Sequence, residues 1–485
     1  MNRTISRLLA AALVVSSSLG AATETNSPWL RLRDYRNRAE MATIFHRAVG
    51  VKNDDMAGGN ISIMPFYRQT YHQDKLGKGL GVNNLSTFKI DNTAAASTTG
   101  VAAPAGSYVN SAYLIHDINS AINTIFTTVT LKPKHYAFGA NLNFCMNLDN
   151  LFEGLYFEFN TAIAKAYNKV GLTFGATTDY ANLSWSDFFS GAAGQTASAT
   201  EATAALTKAK YNLDSYVDKG GVEDPELLIG YTFVDNDSGK VSVAIAASAP
   251  TGTDPTCEYT FEPLVGGRHF KLGLGLKACA NLWESEKEDG NKQTLKALFD
   301  LNYRYAFKRD MLMTPRLKVN GAATNYGHLM LIGDVAAATT ELAPAANYLT
   351  AIHEVKPGNM FEGVTMLSYC NGNLVCDLGA EFEFAESHTP TRKAAWNATQ
   401  YGVADSDADV TSGLLAADQD YILSSWLDTK IESLCIFKLF GAVGVVMTDW
   451  DYPVHAGIGA DVDIASKQQI TPENWKIFGK VGVSF

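Results

Sequence analysis

Charge is scarce in this sequence. Asp, Glu, Lys and Arg make up 18% of the 485 residues, while Phe, Trp and Tyr reach 11%. A disordered chain needs the opposite balance, because it must have too little apolar surface to bury. The 6 cysteines are too few to staple a secreted disulfide scaffold. No Cys/His spacing suits zinc, so neither a metal nor a cofactor is expected. No cluster of Lys and Arg stands out, and 39 basic against 50 acidic residues leave a formal charge of −11. That excludes a nucleic-acid surface, which needs clustered cations to neutralise phosphates. Catalytic signatures are missing too: there is no nucleophile elbow and no phosphate loop, and His353-Glu354 has no second His. An enzyme is therefore not expected. Past the N-terminus there is no long apolar run, and the nearest, Ile436 to Met447, is broken by Lys438 and two glycines. A membrane helix needs roughly 20 apolar residues. Domain boundaries are missing as well, although a soluble chain of this length normally splits into about three domains.

What is present begins at the ends. Arg3 and Arg7 precede the apolar run Leu8 to Val15, and small residues from Ser16 to Ala22 follow. This is the layout of a secretory signal peptide over residues 1–22, with cleavage near residue 22. At the other end Trp475, Ile477, Gly479, Val481, Val483 and Phe485 share one parity, and Lys476, Phe478, Lys480, Gly482 and Ser484 share the other. Strand side chains alternate between faces, so one row suits lipid and the other water.

A transmembrane barrel predicts many such segments of about 10 residues. Tyr136, Phe138, Ala140, Leu142, Phe144 and Met146 alternate with Ala137, Gly139, Asn141, Asn143 and Cys145. Phe270 to Leu282 alternates apolar residues with Lys271, Gly273, Gly275, Lys277, Cys279 and Asn281. Leu295 to Tyr305 does the same against Lys296, Asp300, Asn302 and Arg304, with Leu298 the exception. Leu378 to Phe384 and Val454 to Ile464 repeat the pattern. The polar rows hold Gly, Asn and isolated charges, which suits a wet or tightly packed interior better than the outside of a soluble sandwich.

Connections alternate long and short, as in barrels with external loops and periplasmic turns. Ser466–Glu473, Glu386–Thr429, Phe307–Pro357, Pro250–Gly267 and Ala164–Asp224 are long. Asp449–Tyr452, Cys370–Asn373, Glu284–Asn291, Asp235–Ser238 and Asn147–Asn150 are short. The expected fold is all-β: an antiparallel up-and-down transmembrane barrel over residues 60–485 with both ends periplasmic. The segments Asn60–Gln69, Lys134–Met146, Phe152–Ile163, Leu227–Val234, Lys240–Ser248, Arg268–Trp283, Lys292–Phe307, Gly358–Tyr369, Leu374–Phe384, Ile431–Thr448, Val454–Ile464 and Asn474–Phe485 give about 12 strands, an even number as expected. Gly77–Ile90 and Arg316–Leu331 offer further strands, for about 14 or 16. Residues 23–59 form either a periplasmic segment or a lumen plug. Trp283, Tyr369, Trp450, Tyr452 and Phe485 fall at one rim and Tyr305, Phe307 and Trp475 at the other, as two aromatic girdles would.

Parity assigns Glu158, Lys271, Lys277, Lys296, Asp300, Arg304, Asp377, Glu381, Glu383, His455, Asp461, Asp463, Lys476 and Lys480 to the lumen as pore-lining candidates. Acidic strands carrying Asp377, Glu381, Glu383, Asp461 and Asp463 stand apart from basic ones carrying Lys271, Lys277, Lys296 and Arg304. Opposed rows would set a transverse field that orients polar solutes. The plainer reading is a set of salt bridges stapling the lumen. Asp405, Asp407 and Asp409 open like a calcium loop but lack its Gly and Glu, so a solvated external loop is expected. Ala181–Leu213 reads as a flexible loop or an inward constriction with a short helix at Thr200–Lys210. Cys370 and Cys376 flank a hairpin turn where a disulfide is conceivable, though not between directly opposed positions.

Signal peptide, alternating strands, loop asymmetry and terminal Phe485 together resemble Gram-negative outer-membrane β-barrel proteins of the porin-like kind. The stretch Leu228 to Phe233, then Val241 to Ala246, then Ala249-Pro250-Thr251-Gly252 bears a weaker resemblance to porin-like barrels of the hydrophobic-compound transport group. The resemblance implies an outer-membrane location, lipid and lipopolysaccharide as surroundings, small solutes as cargo, and assembly machinery that reads the last strand through Phe485. A homo-oligomer is compatible with it. It implies passive diffusion of small solutes first. A structural or adhesive barrel with a closed lumen is the alternative, and so is a transporter of hydrophobic compounds, which needs an apolar pocket and an N-terminal plug.

Overall fold

The computed structural model describes residues 34–44, 58–81, 85–91, 108–110, 126–175, 184–193, 204–286, 292–319, 322–324, 327–334, 342–403, 422–447, 450–466 and 471–485. The signal-peptide segment and the Asp405–Asp420 loop lie outside them.

Twelve long strands form the frame. They are β1 Gly59–Thr70, β2 Lys134–Asn147, β3 Leu155–Lys169, β4 Glu226–Asn236, β5 Gly239–Ser248, β6 Lys271–Glu286, β7 Lys292–Ala306, β8 Gly358–Asn371, β9 Leu374–Ala385, β10 Leu434–Met447, β11 Val454–Ser466 and β12 Asn474–Ser484. Each pairs antiparallel with its sequence neighbours, and β12 returns to β1, so the sheet closes. The terminal residue completes the seam: the Phe485 N–H donates to the Gly59 carbonyl at 3.0 Å, and its ring stacks on Phe144. Closure leaves no unpaired edge, which is what lets a sheet stand in hydrocarbon.

Alternation places the rows as parity predicts. Ile458 (68% exposed), Leu378 (68%), Leu274 (60%), Val481 (57%) and Ile477 (52%) face outward. Among the described residues no helix is long and apolar enough to cross a membrane. Aromatic rings gather at the long-loop end, where Trp475, Tyr67, Tyr136 and Tyr167 follow one another across four adjacent strands at 4.6–6.3 Å between centroids. At the short-turn end Phe152, Trp283, Trp450 and Tyr452 are exposed.

The long connections hold their own structure. Helices α2 (Gln73–Leu80), α3 (Trp185–Ser190) and α4 (Ala345–Leu349) and several short strands pack into one hydrophobic core. Leu76, Ile90 and Leu131 come from the β1–β2 connection, and Trp185, Phe188 and Phe189 from β3–β4. Phe261 comes from β5–β6, Met330 and Leu349 from β7–β8, and Ile422 from β9–β10. Five connections rooted around the ring share this core, so it forms a cap over that end. Arg316 and Asp428, both buried, pair at 2.6 Å within it.

Three expectations change. Gly77–Ile90 and Arg316–Leu331 belong to the cap and add no barrel strands, because their short strands pair with other loop segments. Ala181–Leu213 is not a loose loop in its described part, since Trp185, Phe188, Phe189, Leu206 and Tyr211 are core. The helix expected at Thr200–Lys210 is not formed over 204–210, where Leu206 and Ala209 are instead buried against the cap. Cys370 and Cys376 form no disulfide: Cys370 faces Val375 and Cys376 faces Tyr369, so the two thiols are out of register.

Ile458 pairs with Gly479, halfway along β12. Ile458→Arg therefore places a cation at mid-wall and should destabilise the bilayer-embedded barrel by about 2–4 kcal/mol, read by denaturant titration in vesicles. Trp185→Ala should loosen the cap by about 3–5 kcal/mol and raise its protease sensitivity, while the barrel keeps its heat-modifiable gel mobility.

Candidate functional site

The lumen is occupied by the chain itself. Residues 34–44 lie inside the ring, and the short helix α1 (Arg38–Ala42) is buried at every residue. Asn37 caps α1, its side chain accepting from the Glu40 N–H. Ala39 and Ala42 pack on Leu298, Val364, Met366 and Phe440 of the inner wall. This explains the break in alternation at Leu298: it faces inward because the segment gives it an apolar partner. Ile44 seats over Gly444 and Gly457, where an added Cβ would come within 2.7 and 2.6 Å of its side chain. Inward glycines thus make room for the segment.

Of the fourteen lumen candidates, Glu158, Lys271, Lys277, Asp300, Arg304, Asp377, Glu381, His455, Asp461, Asp463, Lys476 and Lys480 are buried. Lys296 and Glu383 are half-buried. The acidic and basic rows are not segregated by wall. Lys277 stands beside Asp300, Lys438 beside both Glu381 and Asp463, and Asp461 beside Lys476. Neighbouring strands alternate sign because a buried charge costs several kcal/mol unless a counter-charge is adjacent. The pairs are made: Lys277 bonds Glu158, and Lys438 bonds Glu381 at 2.9 Å.

Two places break that rule. Glu362 lies directly across from Glu383, and Arg68 across from Lys476. Cross-strand partners have Cβ atoms about 5 Å apart, and like charges held at such a spacing repel by about 3 kcal/mol in a partly screened interior. The N-terminal segment brings opposite charge to both places. Arg38 donates to Glu362 at 3.1 Å and to Glu226, and lies 3.9 Å from Asp300. Glu40 pairs with Lys476 and accepts from Asn141 at 2.6 Å. Asp34 pairs with Lys271 at 3.2 Å, and the Arg68 guanidinium lies 3.8 Å above the Tyr35 ring.

The segment's backbone is held as well. Lys480 donates to the carbonyls of Glu40, Met41 and Thr43 at 3.3, 2.8 and 2.7 Å, a cation at the carbonyl end of a helix. Asp377 accepts the Ile44 N–H. Glu223, just before β4, accepts the N–H groups of Tyr35 and Arg36 at 3.0 and 2.6 Å. Beside the segment a cavity of about 60 Å³ remains, lined by Arg36, Arg68, Lys271, Glu362, Glu383 and Lys476 among others. Strand parity did not single out Arg68, Glu362 and Lys438, although each occupies an inward position of a recognised strand, and Glu226 lies one residue before the expected Leu227–Val234, where the observed strand begins. Asp34, Arg36, Arg38, Glu40 and Glu223 lie off the strands, where alternation gives no signal.

No family model and no curated protein matches the chain. Solved structures are similar at a distance. An outer-membrane channel from Pseudomonas putida F1 shares 10% identity, covering 90% of this chain and 100% of that one at a TM-score of 0.37. A Pseudomonas aeruginosa FadL homologue shares 9% over 89% and 90% of the two chains, at 0.28. The NanC porin shares 9% over 72% and 93%, at 0.26.

Burial, and then the charge of Asp34, push the Glu223 carboxyl from its ordinary 4.5 up to about 8. Arg36 and Lys271 face it and act the other way. A raised acid favours the docked state fully below pH 4.5, and that contribution is lost as pH rises through about 8. Proteinase K cleavage of the segment, normalised to a free peptide of the same sequence, should accelerate from pH 6 to pH 9. Glu223→Gln should flatten that rise.

Proposed function

We propose that this protein is a porin-like outer-membrane channel for passive diffusion of small polar solutes, with residues 34–44 forming its constriction. The observation that carries this reading is the lumen: the ring is wide enough to hold a chain segment and is lined by buried charges of both signs. Such a wall solvates polar solutes and rejects apolar ones. The exposed apolar belt and the two aromatic rims support a membrane setting, with lipid and lipopolysaccharide around the wall. Phe485 at the seam supports recognition of the last strand by assembly machinery.

A transporter of hydrophobic compounds is the second reading, favoured by a plug inside the lumen. The cavity beside the plug is lined mainly by charged groups, which favours polar cargo. Planar-bilayer recording tests the proposal. Stable ohmic steps are expected from the folded protein, and their absence would overturn the channel. Lys476→Met leaves the buried Glu40 carboxylate uncompensated, at a cost of about 3–5 kcal/mol. It should therefore loosen the segment and increase the open-state current.

A further inference from the structure

The contacts that hold residues 34–44 form a pattern that recognises a peptide as a peptide. At one end Glu223 takes two successive backbone N–H groups. At the other, Lys480 takes three carbonyls and Asp377 a further N–H. Between them lie two side-chain subsites. Glu226, Asp300 and Glu362 converge on a guanidinium, and Lys476 with Asn141 on a carboxylate two residues later. These groups come from β2, β4, β7, β8, β9 and β12 and from Glu223 just before β4, so the site encircles its occupant. Glu362 lies across from Glu383 and Arg68 across from Lys476, so a cation at the first subsite and an anion at the second add opposite charge where the wall sets like signs together. Single strand–strand staples such as Lys277–Glu158 already pair opposite signs.

We propose that the lumen is a peptide-binding site whose resident occupant is the N-terminal segment. Its exchangeable cargo is short peptides carrying a guanidinium or ammonium group two residues before a carboxylate. Binding stands on the geometry above, while passage of such peptides rests on the channel reading. The tether places the resident segment at an effective concentration in the millimolar range. A free peptide therefore competes poorly until the segment is weakened.

The test uses the full chain folded in detergent and a fluorescent peptide with the sequence of residues 34–44, followed by anisotropy. R38E/E40K reverses the two charges that enter the side-chain subsites and leaves the wall intact. This variant should bind the free peptide at least about tenfold more tightly than the unaltered protein does. A control peptide with its second Arg and its Glu exchanged should lose that gain. R38M/E40Q gives a second, uncharged route if charge reversal abolishes the heat-modifiable fold. Equal weak binding by the folded variants and the unaltered protein, or equal binding of both peptides, would overturn the proposal. Bilayer recording separates this from the channel reading. Peptide block of current through R38E/E40K supports cargo recognition. Ohmic steps with no peptide block and no anisotropy change sink the peptide site while the channel stands. Peptide binding without any steps sinks the channel and retains the site.

Discussion

Charge inside a closed wall has to be neutralised within that wall or by what fills it. Lys277, Asp300, Glu381, Lys438, Asp461 and Lys476 are all buried, and each isolated ion would cost several kcal/mol. Antiparallel register solves most of this by setting opposite signs on neighbouring strands. Where register sets like signs together, at Glu362 with Glu383 and at Arg68 with Lys476, the N-terminal segment adds opposite charge from inside. Arg38 meets Glu362 and Glu40 meets Lys476, and these pairs help to hold the N-terminal segment in place.

Barrel and cap obey different physics in one chain. The barrel turns apolar residues outward and charges inward, so its interior is organised by ion pairs and hydrogen bonds. The cap turns Trp185, Phe188, Phe189, Leu349 and Ile422 inward, as a water-soluble core does. Long connections that would each be too irregular to hold shape alone become ordered by sharing that core. Access to the lumen is therefore limited at one end by a packed layer of loops and along its length by the segment. The functional question becomes how each of them yields.

The strands were legible because alternation is a local property: a dozen consecutive residues are enough to fix which side chains face lipid. Glu158, Lys271 and Lys480 were placed on the lumen side on that ground, and they lie there. Segregation of acids from bases was not legible. It depends on which residues become lateral neighbours, and Lys438, the partner of Glu381, had not been counted among the lining charges. The cap was illegible for a similar reason. Leu76, Trp185, Phe261, Met330 and Ile422 are far apart in sequence and meet only through the ring that roots their loops.

Period and termini, read from the sequence by itself, determined a closed antiparallel sheet with an apolar outside and a charged inside, and left its strand count at about 12, 14 or 16. Tertiary structure alone decided what fills that inside. Residues 34–44 carry no strand period, and their affinity for the lumen lies in no single residue. It comes from Glu223, Glu226, Glu362, Asp377, Lys476 and Lys480 being brought from separate strands and one loop to face a common axis. Alternation fixes which way a side chain points, but only closure of the barrel fixes what it points at.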